Sequence, residues 1–283
     1  MTMPALKVAV AQMCSGTEPG PNLDALDALV AQAAEGGAAY VLTPEMSVVF
    51  AENRDNLRAV AEPFAGNSAV ARLSDMARRH AIHLHLGSMP IALPDGHFAN
   101  RSLLFSPDGT LAASYDKIHL FDAEPEGDKA YRESATYAGG GEAVVTDAPR
   151  FRLGMSICYD VRFPALYRAL AEAGAEVVSV PAAFTVPTGK AHWEILLRAR
   201  AIETGCFVLA AAQGGAHQNG RSTWGHSMVV SPWGEVLAEK ADDTPGVIFA
   251  ELDLDRVARA RRQVPALANA RGFALPEALA AAQ

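Results

Sequence analysis

Two distant stretches of this chain carry the same turn. Ser106-Pro107-x-Gly109 leads into Leu111-Ala112, and Ser231-Pro232-x-Gly234 leads into Leu237-Ala238. Each turn closes a series in which short apolar runs alternate with helical periodicity. In the first series KVAVAQM, YVLTP, IHLHLGSM, RSLLFS and TLAASYD read as strands. Between them Leu23, Leu26, Val30 and Ala33 share a helix face, with Asn22 as the expected cap and Gly36-Gly37 as the stop. Val70, Leu73 and Met76–Ala77 mark another helix. In the second series FRLGMSI, EVVSVPAA, CFVLAAAQ, HSMVVS and VLAEK read as strands. Pro164 opens the helix ALYRALAEA, and Thr188 is a candidate cap for a helix beginning near Lys190 and ended by Gly205. This doubled order predicts an α/β fold of two pseudo-equivalent halves, each a sheet under helices. Packed sheet to sheet, they make a four-layer α-β-β-α sandwich. Halves that share such a core form a single domain over residues 1–283, with a peripheral tail from about 255. The polar stretch 122–141 reads as a loop over a site.

Composition narrows the function. The formal net charge is −8 over 283 residues, which disfavours nucleic acid or an anionic membrane as partner. No apolar run approaches the ~18 residues of a membrane span. The opening MTMPALKVAVAQMC lacks a basic segment followed by a long apolar one, so no signal peptide is expected. Three cysteines, Cys14, Cys158 and Cys206, are too few and odd for a disulfide framework. They imply a reducing, cytoplasmic setting.

Three reactive residues fall where strands end, the place where α/β sheets bind ligands. Glu45 follows YVLTP, Lys117 follows TLAASYD, and Cys158 follows LGMSI before a helix. Each alone has a plainer reading: an apolar filler, a helix cap, an exposed lysine. Together a thiol, a base and a cation form the set that an amide-cleaving thiol enzyme needs.

The wording around these residues resembles the nitrilase, or carbon–nitrogen hydrolase, superfamily. The resemblance rests on TPE with Glu45, DKIHLFD with Lys117 and CYDVRFPALYRAL with Cys158, in the family's order, and it spans nearly the whole chain. Residues 181–203, 210–221 and 225–236 look most like the deaminated glutathione amidase branch, with the ω-amidases as neighbours. The resemblance implies a second glutamate, Glu133 in AYRES, that completes a Cys-Glu-Lys-Glu tetrad. It implies a cofactor-free, metal-free thiol amidase that turns the side-chain amide of a small carboxylated substrate, deaminated glutathione first, into a carboxylate plus ammonia through a cysteine thioester. Glu45 would take the thiol proton, Lys117 and the N–H of Tyr159 would hold the oxyanion, and Glu133 would position Lys117. It also implies a homodimer or higher homo-oligomer, often built on the helix after the cysteine.

For substrate binding, Arg162 is open to two readings: it pairs with a substrate carboxylate, or it forms a salt bridge with Asp160. Phe184 and Thr185 follow the strand EVVSVPAA and should line the same pocket from the other half. His83 and His85 share a strand face, but no third ligand is spaced to complete a metal shell. GHSMV lacks the second glycine of a serine-hydrolase elbow. The competing readings are an ω-amidase acting on 2-oxoglutaramate, another carbon–nitrogen hydrolase, and a non-catalytic scaffold that keeps the fold.

Overall fold

The computed structural model describes residues 5–124 and 130–274. The tail beyond 274 and part of the stretch 122–141 lie outside them.

Among the described residues six α-helices flank two large sheets: α1 (Pro19–Glu35), α2 (Arg54–Val60), α3 (Ser68–His80), α4 (Pro164–Glu172), α5 (Val186–Thr204) and α6 (Asp255–Gln263). In the first sheet the strand Leu6–Gln12 pairs antiparallel with Gly246–Leu252 on one side and parallel with Tyr40–Leu42 on the other. Tyr40–Leu42 continues parallel to His83–Ala92, which pairs antiparallel with Phe98–Phe105, itself antiparallel to Leu111–Asp116. The second sheet repeats this sequence of directions. Phe151–Gly154 pairs antiparallel with Val145–Ala148 and parallel with Val177–Ser179. Phe207–Ala210 follows in parallel, then Met228–Val230 and Val236–Glu239, both antiparallel. The two halves are therefore equivalent strand by strand. The shared turn is identical in bonding: Gly109 N–H donates to Ser106 O and Gly234 N–H to Ser231 O, and both glycines sit at φ 84°.

Strand alternation builds the four layers. Val8, Val10, Tyr40, Leu42 and Leu104 point from the first sheet into the space between the sheets, where they meet Phe151, Leu153 and Val178 of the second. Their neighbours Ala9, Val41, Leu84 and Leu103 point outward, under α1 and α3. α4 and α5 cover the outer face of the second sheet through Leu170, Trp193, Leu197 and Ala201. The α-β-β-α sandwich is thus the fold.

Two expected caps are corrected. α1 begins at Pro19, so Asn22 lies inside its first turn. Its amide is buried instead, accepting from Gly16 N–H and donating to Gly16 O and Val48 O, and so ties two loops together. α5 begins at Val186, and its cap is Thr185, whose hydroxyl accepts from Thr188 N–H. Thr188 is inside the helix.

Candidate active site

All eight residues singled out from the sequence line one cavity of about 270 Å³. It opens at the strand ends where the two halves meet.

Glu45 sits on a turn held from several sides. Ser47 N–H donates to Ser88 O, Met46 N–H to Ser88 Oγ, and Gln213 Nε2 to the Glu45 carbonyl. Met46 takes φ 57°, a left-handed conformation uncommon outside glycine. The turn reaches its place because Gly87 has no side chain. A Cβ there would stand 2.0 Å from Thr43 O, 2.4 Å from Pro44 O and 2.5 Å from Pro181 Cβ. Pro181 in turn accepts the N–H of Cys158, at 2.8 Å. Gly87 thus lets the glutamate turn and the cysteine turn converge. Gly87→Ala is expected to cost at least about 1–3 kcal/mol of stability by overpacking. It should also lower kcat more than tenfold by moving Glu45 against Cys158. Thermal melting and steady-state kinetics on the same preparation read both, and an unchanged kcat would show that the close approach has no bearing on the site.

Cys158 opens a 3₁₀ turn, Cys158–Arg162, at φ 50°. A non-glycine residue in that region stores of order 1 kcal/mol of strain, which the surroundings hold in place. The clamp is Asp160, fully buried, which accepts from Ile157 N–H, the Tyr115 hydroxyl and the His119 backbone N–H, and pairs with His119 Nδ1. Asp160 therefore fastens the cysteine turn to the segment that carries Lys117.

Lys117 is 2 % exposed and sits between two carboxylates. Its Nζ lies 2.9 Å from Glu45 Oε1 and 3.0 and 2.9 Å from the two oxygens of Glu133. Glu133 also accepts Phe121 N–H at 2.6 Å. The other oxygen of Glu45 accepts Ala183 N–H at 3.0 Å. Burial alone would push Glu45 up, but the Lys117 charge and hydrogen bonds from Lys117, Cys158 and Asn100 hold it below the usual carboxylate range. Burial opposes the Lys117 charge in the same way, yet Glu133 and Glu45 keep the ammonium well above its ordinary value. Burial and the Glu45 charge push the Cys158 thiol well up, despite the pull of Lys117 and Ala183 N–H. These shifts favour a protonated thiol beside an ionised Glu45 carboxylate. Such a set can remove a thiol proton as the sulfur attacks, and return it to a leaving group.

The remaining sequence candidates differ in kind. Arg162 forms no ion pair with Asp160; its guanidinium lies 5.5 Å from the Phe184 ring centre and contacts His192 Nδ1 at 3.3 Å. Phe184 is a buried wall of the cavity, and Thr185 combines a wall position with its capping bond. Residues that sequence reasoning passed over also stand in the site. Arg221, inside the 210–221 block, lies 4.9 Å from the ring centres of both Phe50 and Tyr131. Arg54 lines the same cavity from α2. Asn100 donates to Glu45 from beneath. Among the described residues no group of three His, Cys, Asp or Glu side chains is placed to hold a metal ion. His85 is spent between the Tyr40 hydroxyl and Ser102 Oγ, and burial lowers it to about 3. No helix of the described residues is long and apolar enough to cross a membrane.

Known proteins share this arrangement of chain and fold. The family described as carbon-nitrogen hydrolase matches residues 7–262. A deaminated glutathione amidase of Yersinia enterocolitica is 42 % identical over 267 residues, 93 % of this chain and 92 % of that one. The crystal structure of Saccharomyces cerevisiae Nit3, a member of branch 10 of the nitrilase superfamily, is 30 % identical with a TM-score of 0.83, covering 93 % of this chain and 96 % of that one. A mutant amidase from Nesterenkonia sp. AN1, whose active-site cysteine has undergone Michael addition of acrylamide, is 30 % identical with a TM-score of 0.76, covering 92 % of this chain and 98 % of that one. With a family match across most of its length and relatives of this identity, the chain belongs to the carbon–nitrogen hydrolase family of the nitrilase superfamily, as a hydrolase of amide carbon–nitrogen bonds.

Proposed function

We propose that the chain is a thiol amidase whose preferred substrate is deaminated glutathione, and that Cys158, Glu45, Lys117 and Glu133 carry the reaction. The observation that supports this most is the contact of the buried Lys117 with both glutamates in the cavity that Cys158 also lines. Glu45 takes the proton of Cys158 as sulfur bonds to the amide carbon. The carbonyl electrons move to oxygen, which Lys117 and the N–H of Tyr159 stabilise. The carbon–nitrogen bond then breaks, and Glu45 gives its proton to the nitrogen. A water, deprotonated by the same carboxylate, hydrolyses the thioester. Glu133 keeps Lys117 in place through two charge-assisted bonds.

The substrate's own chemistry corrects one expectation. Deaminated glutathione has no primary carboxamide, because its side-chain carbonyl is joined to the nitrogen of cysteinylglycine. Its hydrolysis releases that amine. Ammonia is the product only for a primary amide such as 2-oxoglutaramate. A leaving group of this length, ending in a carboxylate, agrees with a cavity whose walls carry Arg162 on Phe184 and Arg221 between Phe50 and Tyr131. Neither guanidinium has a carboxylate partner among the described residues within 4 Å.

A panel of deaminated glutathione, 2-oxoglutaramate, glutamine, asparagine and N-carbamoyl compounds, assayed for both ammonia and new primary amine, tests the assignment. The highest kcat/KM is expected for deaminated glutathione, with cysteinylglycine as product. A higher value for 2-oxoglutaramate would move the assignment to an ω-amidase, and no hydrolysis of any member would favour a scaffold.

A further inference from the structure

Asn100 belongs to the strand Phe98–Phe105 and is fully buried. Alternation places it with Leu104 on the face between the two sheets, while Ala99, Leu103 and Phe105 face the helices. The amide donates from one nitrogen to both glutamates, to Glu45 Oε1 at 2.9 Å and to Glu133 Oε1 at 3.4 Å. Its backbone carbonyl accepts Lys117 N–H at 3.0 Å. Its Oδ1 has no hydrogen-bond partner among the described residues. A buried acceptor left unpaired is costly, so the donor end must be what the position is kept for.

We propose that Asn100 is a positioning residue that fixes the Glu45 carboxylate as an ionised base. With Lys117 it occupies Oε1 of Glu45, which stops the carboxylate from rotating. The opposite oxygen stays on the side of Ala183 N–H and the cavity. A neutral donor does this without adding charge to a pocket that already sets one ammonium against two carboxylates. An aspartate there would add a third carboxylate around a single lysine. The charged and titratable groups around Glu45 are Lys117, Glu133, Cys158 and the buried Tyr137. Among the described residues only Asn100 and Ala183 N–H reach it as neutral donors outside the proposed tetrad.

The proposal rests on the reading of Glu45 as the base for Cys158, and its test separates the two. Asn100→Leu keeps the size and removes the donor; Asn100→Ala serves if leucine does not fold. The acid limb of the kcat/KM profile, which reports Glu45 in the free enzyme, should move up by about one pH unit. The kcat should fall roughly tenfold or more, with KM little changed. The pH dependence of Cys158 alkylation by iodoacetamide should show the same shift without any substrate. A lowered melting temperature with both acid limbs unmoved would reduce Asn100 to a packing residue and overturn the proposal. A shifted alkylation limb in a protein that hydrolyses no amide would sink the amidase assignment and leave the role of Asn100 standing.

Discussion

Cys158→Ala is expected to lower kcat/KM for the preferred amide by roughly 10⁴–10⁶-fold, the range seen when a hydrolase loses its nucleophile. The fold should survive the change. Alanine keeps the Cβ and accepts φ 50° no worse than cysteine does, and the clamp through Asp160 uses none of the thiol. The other two cysteines supply the control. Cys14 is exposed, with its sulfur 3.4 Å from Ala216 O, and Cys206 is buried beneath Arg261. Neither lines the cavity. Cys14→Ala and Cys206→Ala should leave kcat/KM within about twofold. Intact-mass measurement during turnover should show an acyl adduct on the wild type and none on Cys158→Ala. Retention of more than a tenth of the activity by Cys158→Ala would sink the thioester mechanism.

The fold was legible because its information is periodic. Alternating apolar residues and the doubled Ser-Pro-x-Gly turn both reflect backbone geometry that local sequence dictates. The elements that were not read lack such a pattern. α2 buries only Leu57, and Val145–Ala148 is a half-exposed edge strand. The strand Gly246–Leu252 pairs with Leu6–Gln12 from the far end of the chain, and no local signal reports that closure. Asn22 misled because an asparagine ahead of an apolar helix face looks like a cap. Its amide was needed two loops away instead.

The site divides along the same line. Glu45, Lys117 and Cys158 stand at strand ends, so their shared placement with complementary chemistry raised them before the family wording did. Glu133 sits on a short 3₁₀ turn with nothing local to distinguish it from an exposed loop carboxylate, and only the family wording pointed there. Asn100 was missed because the strand reads from Arg101, as RSLLFS, whereas it begins at Phe98 and so includes Asn100. Arg54 and Arg221 are cations on a short helix and a loop. Their meaning comes from a cavity assembled by both halves, which no single stretch of sequence contains.

Lys117→Met should be the most damaging change to the buried charge system. The lysine is the only cation within 4 Å of Glu45 and Glu133 among the described residues. Removing it leaves the buried Glu45 and the partly buried Glu133 without their cation, and breaking a buried pair in this way costs about 3–5 kcal/mol. Activity should fall by at least about 10²–10³-fold through loss of an oxyanion donor, and further because Glu45 no longer stays ionised. The pH dependence carries the sharper test. In the wild type Glu45 is held below the usual carboxylate range, so its stabilisation is present above the ordinary carboxylate value and is lost as pH falls through the folded one. In the variant the neutral donors Asn100 and Ala183 N–H remain, but with the ammonium gone burial is expected to outweigh them and lift Glu45 above its unfolded value. Ionising it at neutral pH then costs stability, and protonating it restores some. Lys117 itself titrates well above this window and contributes no slope. The gap in melting temperature between wild type and Lys117→Met should therefore narrow as pH falls from 7 to 5. Calorimetry at both pH values reads it directly. A gap that stays constant or widens would mean that the lysine fills space in the site and does not balance its charge.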